Sequence, residues 1–254
     1  MFRSDIKFRM DRDAIIGSPS FHQVSNLGAI QFKHHYDPEL IQVIANKAMA
    51  IKAQAAEKRH LNLNYIRAAH TLIPEINELI SIPGRLSRLS ELAETQLENY
   101  PTSIISSIIT FASGNPGDGT IVWHADGIPV TELVPLHIED CEGGELQIYK
   151  GHADEGLARY RDGANIPEER IVSVTHQMGY SVVGQLMRLM HRVQPMKRGY
   201  RITLNLNLRS VERPFLDDNS LWYLAADNPD LRWFDEYISD MKENVVPAYI
   251  AAQK

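Results

Sequence analysis

The sequence predicts a mainly β protein with flanking helices: a β-sandwich or jelly roll with a helical layer built from its N-terminal part. Three observations predict this. Short β-rich segments follow one another from about residue 103 to residue 208, split by Gly-rich turns. The first hundred residues read as mostly helical. The chain of 254 residues is long enough to bury a core without covalent staples, and its lone Cys141 allows neither an internal disulfide nor a Cys-rich zinc site.

The elements follow in order. GAIQFK (28–33) reads as a strand. Asp37 before Pro38 is a helix start, with the carboxylate as cap and proline in the first turn, and the helix is predicted from Pro38 to about Arg59. Residues 74–98 read as helical with a break near Pro83-Gly84. Strands are then expected at 103–111 (SIISSIITF), 120–124 (TIVWH), 131–138 (TELVPLHI) and 144–150 (GELQIYK), and further on at 170–177, 180–190 and 200–208. GNPGDG (114–119) is a turn cluster. A last helix is expected from about Asn228 to Glu243, with Asn228 as its cap and Trp233, Phe234 and Tyr237 for packing. The expected layout is one domain over 1–254: a helical layer (1–100), a β core (101–210) and a C-terminal helical extension (211–254).

The net charge of −6 argues against binding governed by nucleic-acid phosphates. There is no long apolar run for a membrane span, and MFRSDIKFRMDRD has no apolar centre for a signal peptide. With one cysteine, a reducing cytoplasm is the expected location. The expected partners are a small-molecule substrate and at most a second copy in a homodimer, with neither nucleic acid nor membrane.

His-x-Asp/Glu, two donors that can grip one metal ion, occurs four times: His35/Asp37, His124/Asp126, His137/Glu139 and His152/Asp154. About one such pair is expected by chance, so setting must decide. Asp37 is better explained as a helix cap. Glu139 reads as a turn residue after a strand, and His152/Asp154 as part of a charged, solvated loop. His124/Asp126 ends a stiff β-branched strand, its side chains project to one face, and Gly127 lets the chain turn at once. A third ligand is needed, and His176 and His191 are the candidates. His191 is followed ten residues later by Arg201 at the head of an alternating strand, whereas Leu186 stands at that offset from His176, which reads as a plain strand or loop histidine.

His124-x-Asp126, then His191, then Arg201 resembles the non-haem Fe(II)/2-oxoglutarate-dependent dioxygenases. The resemblance covers roughly residues 104–208 and implies a double-stranded β-helix, the cupin-like jelly roll. It implies that His124, Asp126 and His191 are the Fe(II) ligands, a facial triad with open positions for the 2-oxo acid and O2. Arg201 would hold the far carboxylate of 2-oxoglutarate, with Thr203 beside it, as in the Arg-x-Ser pair of many relatives. Strict alternation puts Arg201, Thr203, Asn205 and Asn207 on one strand face; the alternative is a surface strand with a wet polar face. The implied reaction is oxidative decarboxylation of 2-oxoglutarate to succinate and CO2 with hydroxylation of a small metabolite. A free amino acid or derivative is the expected substrate, and Glu132, Asn205, Asn207 and Trp222 are its expected contacts. Desaturation and ring closure use the same residues. Two other classes stay open: a cupin-like metal enzyme that does not use 2-oxoglutarate, and a non-catalytic β-sandwich binding module.

Overall fold

The structure, a computed structural model, describes residues 5–18, 23–58, 64–115 and 121–253. Its strands are β1 (Ile6–Asp11), β2 (Leu27–Lys33), β3 (Glu57–Lys58), β4 (Asn64–Arg67), β5 (Leu97–Asn99), β6 (Ser107–Ser113) and β7 (Ile121–His124). They continue with β8 (Val130–Gly143), β9 (Leu146–Tyr149), β10 (Ile171–Val174), β11 (Tyr180–Gly184), β12 (His191–Val193) and β13 (Met196–Ser210). Among the described residues these form two antiparallel sheets. The major sheet runs β1-β2-β11-β8-β13-β6-β4-β3, with β5 also on β13; the minor sheet runs β10-β9-β12-β7. From β6 to β13 the chain passes repeatedly between the sheets, which is the jelly roll, with β11-β8-β13-β6 facing β10-β9-β12-β7.

β13 shows why the layers form. Ile202, Leu204 and Leu206 point outward into an apolar cluster under the helices, together with Ile109 and Phe111 of β6 and Val134 and Leu136 of β8. The alternate residues point the other way, into the space between the sheets. The helix Pro38–Ala55 supplies the opposing surface. Asp37 caps it by accepting from the Glu39 N–H at 2.9 Å, and Ile41, Ile44, Ala45 and Ala48 make one buried stripe. On the inner side, Leu146, Ile148, Val182 and Leu186 join the sheets around Ile15.

The structure departs from the sequence expectations at several places. Within the first hundred residues β2 is the strand expected at 28–33, but unexpected strands share the segment with the helices: β1 and β4 extend the major sheet at its two edges, and β5 pairs the end of β13. SIISSIITF is not one strand, since Ser103–Ser106 forms a helical turn before β6. The strand expected over 180–190 stops at Gly184. At the C-terminus, Asn228 ends the helix Leu221–Asp227 instead of starting one, and donates its Nδ2–H to Leu224 O at 2.9 Å. The next helix is Phe234–Asp240, and Trp233 before it is buried, its indole N–H given to Asn228 O. No helix among the described residues is long and apolar enough to cross a membrane.

Candidate metal centre

His124 closes β7 and His191 opens β12, and the two strands are neighbours with His124 directly opposite His191. Their ring centroids are 4.3 Å apart. Asp126, two residues on, is tied to the segment leading into β12: it forms a bridge with Met187, and its N–H reaches Leu186 O at 3.4 Å. The carboxylate therefore sits between both rings, with Oδ1 3.2 Å from His124 Nε2 and Oδ2 3.6 Å from His191 Nε2. One ligand atom from each of the three lies within 4.8 Å of the others; among the described residues no other group of His, Cys, Asp and Glu does this. Gly127 serves this turn by closeness, since a Cβ there would stand 2.7 Å from Asn219 Oδ1.

Each imidazole is fixed from behind. His124 Nδ1 lies 2.8 Å from Val122 O and His191 Nδ1 2.8 Å from Leu189 O. Backbone carbonyls can only accept, so each Nδ1 carries a proton and each Nε2 faces the centre, where a bound metal would take its lone pair and, on His124, displace the proton shared with Asp126. Burial lowers the His191 pKa to about 4, against the pull of Asp126, which keeps the ring neutral. Burial alone would raise Asp126, but the charges of His191 and His124 and the hydrogen bond from His124 outweigh it and hold the carboxyl at about 2. For His124 burial pushes downward, and the Asp126 contact outweighs it to give a net rise. Two imidazole nitrogens and one carboxylate on one side of a small space suit a divalent first-row transition metal.

The triad opens onto a cavity of 1190 Å³ between the sheets. Arg201, Thr203, Asn205 and Asn207 all line it, as the alternation of β13 required. Arg201 is 5% exposed, and burial brings its guanidinium down to about 10, with Cys141 and Glu145 pulling the other way. It donates Nη1–H to Gly144 O, while its Nε–H has no partner. A buried guanidinium on a single carbonyl fits a site for a carboxylate brought by a ligand. Thr203 is buried beside it. The residues present therefore fit both a metal and a 2-oxo acid.

Other residues fall elsewhere than expected. Glu132 is fully buried on the opposite face of β8, where its Oε2 accepts from Arg85 Nε and Nη2 at 3.1 and 2.6 Å, and Oε1 accepts from Ser181 and Tyr36 hydroxyls. It does not line the cavity, because neighbouring strand residues point to opposite faces and Thr131 and Leu133 take the inner one. Trp222 also stays out: it is 72% exposed and packs edge-on against Tyr223. Asn207 lines the wall, with its amide held by the Thr131 hydroxyl and Ile105 O. His152 and Asp154 belong to the start of the helix Ala153–Arg161 and not to a loop; they border the cavity without joining the triad.

Two wall residues escaped the sequence reading. His176, with no arginine at the ten-residue offset, nevertheless lines the cavity close enough to Arg201 for that charge, added to burial, to drive its pKa well down. Arg12 is 1% exposed and donates to Gln185 O and Met187 O at 2.9 Å each. It thereby clamps the segment that holds Asp126 and leads to His191. Its partners lie some 170 residues away in sequence, so no local pattern announces it.

A jelly roll with a His-x-Asp…His centre facing its interior is the class defined by fold and site. No family model matches the chain, and no curated protein does. Solved structures do. The non-heme α-ketoglutarate-dependent epimerase SnoN from nogalamycin biosynthesis matches with a TM-score of 0.55 at 14% identity, over 73% of this chain and 78% of that one. The non-heme α-ketoglutarate-dependent carbocyclase SnoK from nogalamycin biosynthesis matches with a TM-score of 0.57 at 15% identity, over 72% and 80%. SnoN in complex with Fe3+, α-ketoglutarate and nogalamycin RO matches with a TM-score of 0.55 at 13% identity, over 73% and 80%. At these identities the likeness is one of fold.

Proposed function

We propose that the protein is an Fe(II)/2-oxoglutarate-dependent oxygenase that hydroxylates a small molecule. The observation that carries this reading is the joint placement, on one cavity, of the His124-Asp126-His191 triad and of Arg201 with its unpartnered Nε–H. The shared fold with SnoN and SnoK, both named as α-ketoglutarate-dependent, supports it.

Fe(II) on His124 Nε2, the Asp126 carboxylate and His191 Nε2, with 2-oxoglutarate and O2 as co-substrates, would supply the oxidation, in which one oxygen atom of O2 goes to succinate and the other to the hydroxylated substrate, and CO2 is released. The chain's own residues bind and orient. Val122 O and Leu189 O keep the rings in the tautomer that offers Nε2. Arg201 pairs the far carboxylate of the co-substrate with Thr203 at its side. Burial strengthens that pairing by excluding water. Asn205 and Asn207 extend the same face toward substrate. Hydroxylation is the reading for the product; SnoN and SnoK, named epimerase and carbocyclase, are of the same fold. We place the enzyme in the cytoplasm, with no nucleic-acid or membrane partner.

Anaerobic titration of Fe(II) into the protein with 2-oxoglutarate present tests this. A visible charge-transfer band is expected, lost in Arg201→Ala while iron still binds. Iron binding without a band would move the cupin-like alternative first, and no iron binding would leave a binding module.

A further inference from the structure

The floor of the cavity is wider than the co-substrate needs. The registers place Asn205 of β13, Ile108 of β6 and Arg67 of β4 in one row across the major sheet, and Thr203, Thr110 and Tyr65 in the next. All six line the cavity. Two strand spacings put Arg67 about 10 Å beyond Asn205. The middle of the row is apolar, with Ile105, Ile128 and Leu224 also on the walls. The volume of 1190 Å³ lies above the roughly 300–1,000 Å³ of sites for drug-sized ligands. A free amino acid beside 2-oxoglutarate leaves most of it empty.

Arg67 marks the far end. Its Nη1 donates to Asp227 O at 2.9 Å and to Asn228 Oδ1, and its Nη2 to the Tyr65 hydroxyl at 3.0 Å. These are neutral acceptors, and they take three of five donors. Among the described residues Arg67 forms no ion pair, and the nearby Asp230 is committed to Arg232 at 2.7 Å. The guanidinium lies over the Tyr65 ring, 5.2 Å from its centroid, which fixes its direction. A positive charge held in place at the end of an apolar shelf is a reader of anions.

We propose that the substrate is an elongated, largely apolar acid, whose body lies along Ile108 and whose anionic group is read by Arg67. This rests on the oxygenase reading for the site but uses none of the metal ligands. The probes are 6-phenylhexanoate, its neutral amide 6-phenylhexanamide and L-phenylalanine, titrated by anaerobic calorimetry into protein loaded with Fe(II) and saturating 2-oxoglutarate.

The acid is expected to bind about tenfold or more tightly than the amide, and more tightly than L-phenylalanine. Arg67→Gln levels acid and amide, while Arg67→Lys, which keeps the charge, retains a preference for the acid. Thermal melts of both variants identify any loss of fold caused by freeing the end of the helix Leu221–Asp227. Equal binding of acid and amide, no binding of the acid, tightest binding of L-phenylalanine, or a preference that survives Arg67→Gln overturns the proposal. Failure of the Fe(II)/2-oxoglutarate band is a separate result that overturns the oxygenase reading. The three probes are then titrated into metal-free protein, since the shelf and Arg67 need no iron.

Discussion

Glu132→Gln is predicted to cost stability and leave the centre intact. The substitution keeps the shape of the side chain and removes its charge. In the folded protein both carboxylate oxygens are in use: Arg85 Nε and Nη2 on one, Ser181 and Tyr36 hydroxyls on the other. The Arg85 and Glu132 side chains are 1% and 0% exposed, so solvent cannot stand in for the missing charge. Breaking a buried pair on one side costs about 3–5 kcal/mol, most of it the stranded partner. For a chain of this size that corresponds to a fall in Tm of about 6–20 °C. Urea and thermal unfolding at neutral pH measure it, and the Fe(II)/2-oxoglutarate band of the folded variant checks the centre. The double change Arg85→Met/Glu132→Leu should recover much of the loss, because no charge is then left unpaired. A variant of unchanged stability but impaired substrate turnover would refute this reasoning and return Glu132 to the substrate site.

Three further outcomes are expected. Asp126→Ala abolishes Fe(II) binding and turnover while Asp154→Ala leaves both near wild type, as anaerobic Fe(II) titration and succinate release would record; the reverse result places the centre at His152/Asp154. Arg12→Ala weakens Fe(II) by about tenfold without touching a ligand, because the 185–187 segment loses both of its guanidinium bonds, and Arg12→Lys restores part of it; unchanged affinity would make Arg12 a core cation only. Asp217 is raised from 3.8 to about 6, by burial first, against the hydrogen bonds from Tyr100 and Asn219. Folding therefore takes up a proton between about pH 4 and 6, and this group's contribution to stability falls as pH rises through that window and is flat above it. Urea melts across pH 4–8 should show this fall reduced in Asp217→Asn, and an identical profile in both proteins would remove Asp217 as its source.

The parts legible in the sequence share one property: their meaning is local. The cap Asp37, the alternation of β13 and the His-x-Asp at the end of β7 each need only a few neighbours to be read, and each stands in the structure as expected. Where both faces of a strand are buried, alternation shows that residues differ but not which face is which. Glu132 fell on that ambiguity. Its own strand sets it against Thr131 and Leu133, yet nothing local says that the cavity takes the odd positions.

The illegible parts are the ones that cross the fold. Residues 185–190 read as more strand in the sequence, because Leu186, Met187, Leu189 and Met190 are apolar, and all four are buried. In the structure this segment instead carries the chain from β11 in the major sheet to β12 in the minor one. The same six residues then meet three demands. They bridge Asp126 from the side, they place Leu189 O behind His191, and they take the clamp from Arg12. The candidate metal centre thus sits at a sheet-to-sheet crossing whose segment is held by a cation near the N-terminus. Sequence spacing cannot express that arrangement, because it exists only once β1 and β2 have closed the edge of the sheet beside β11.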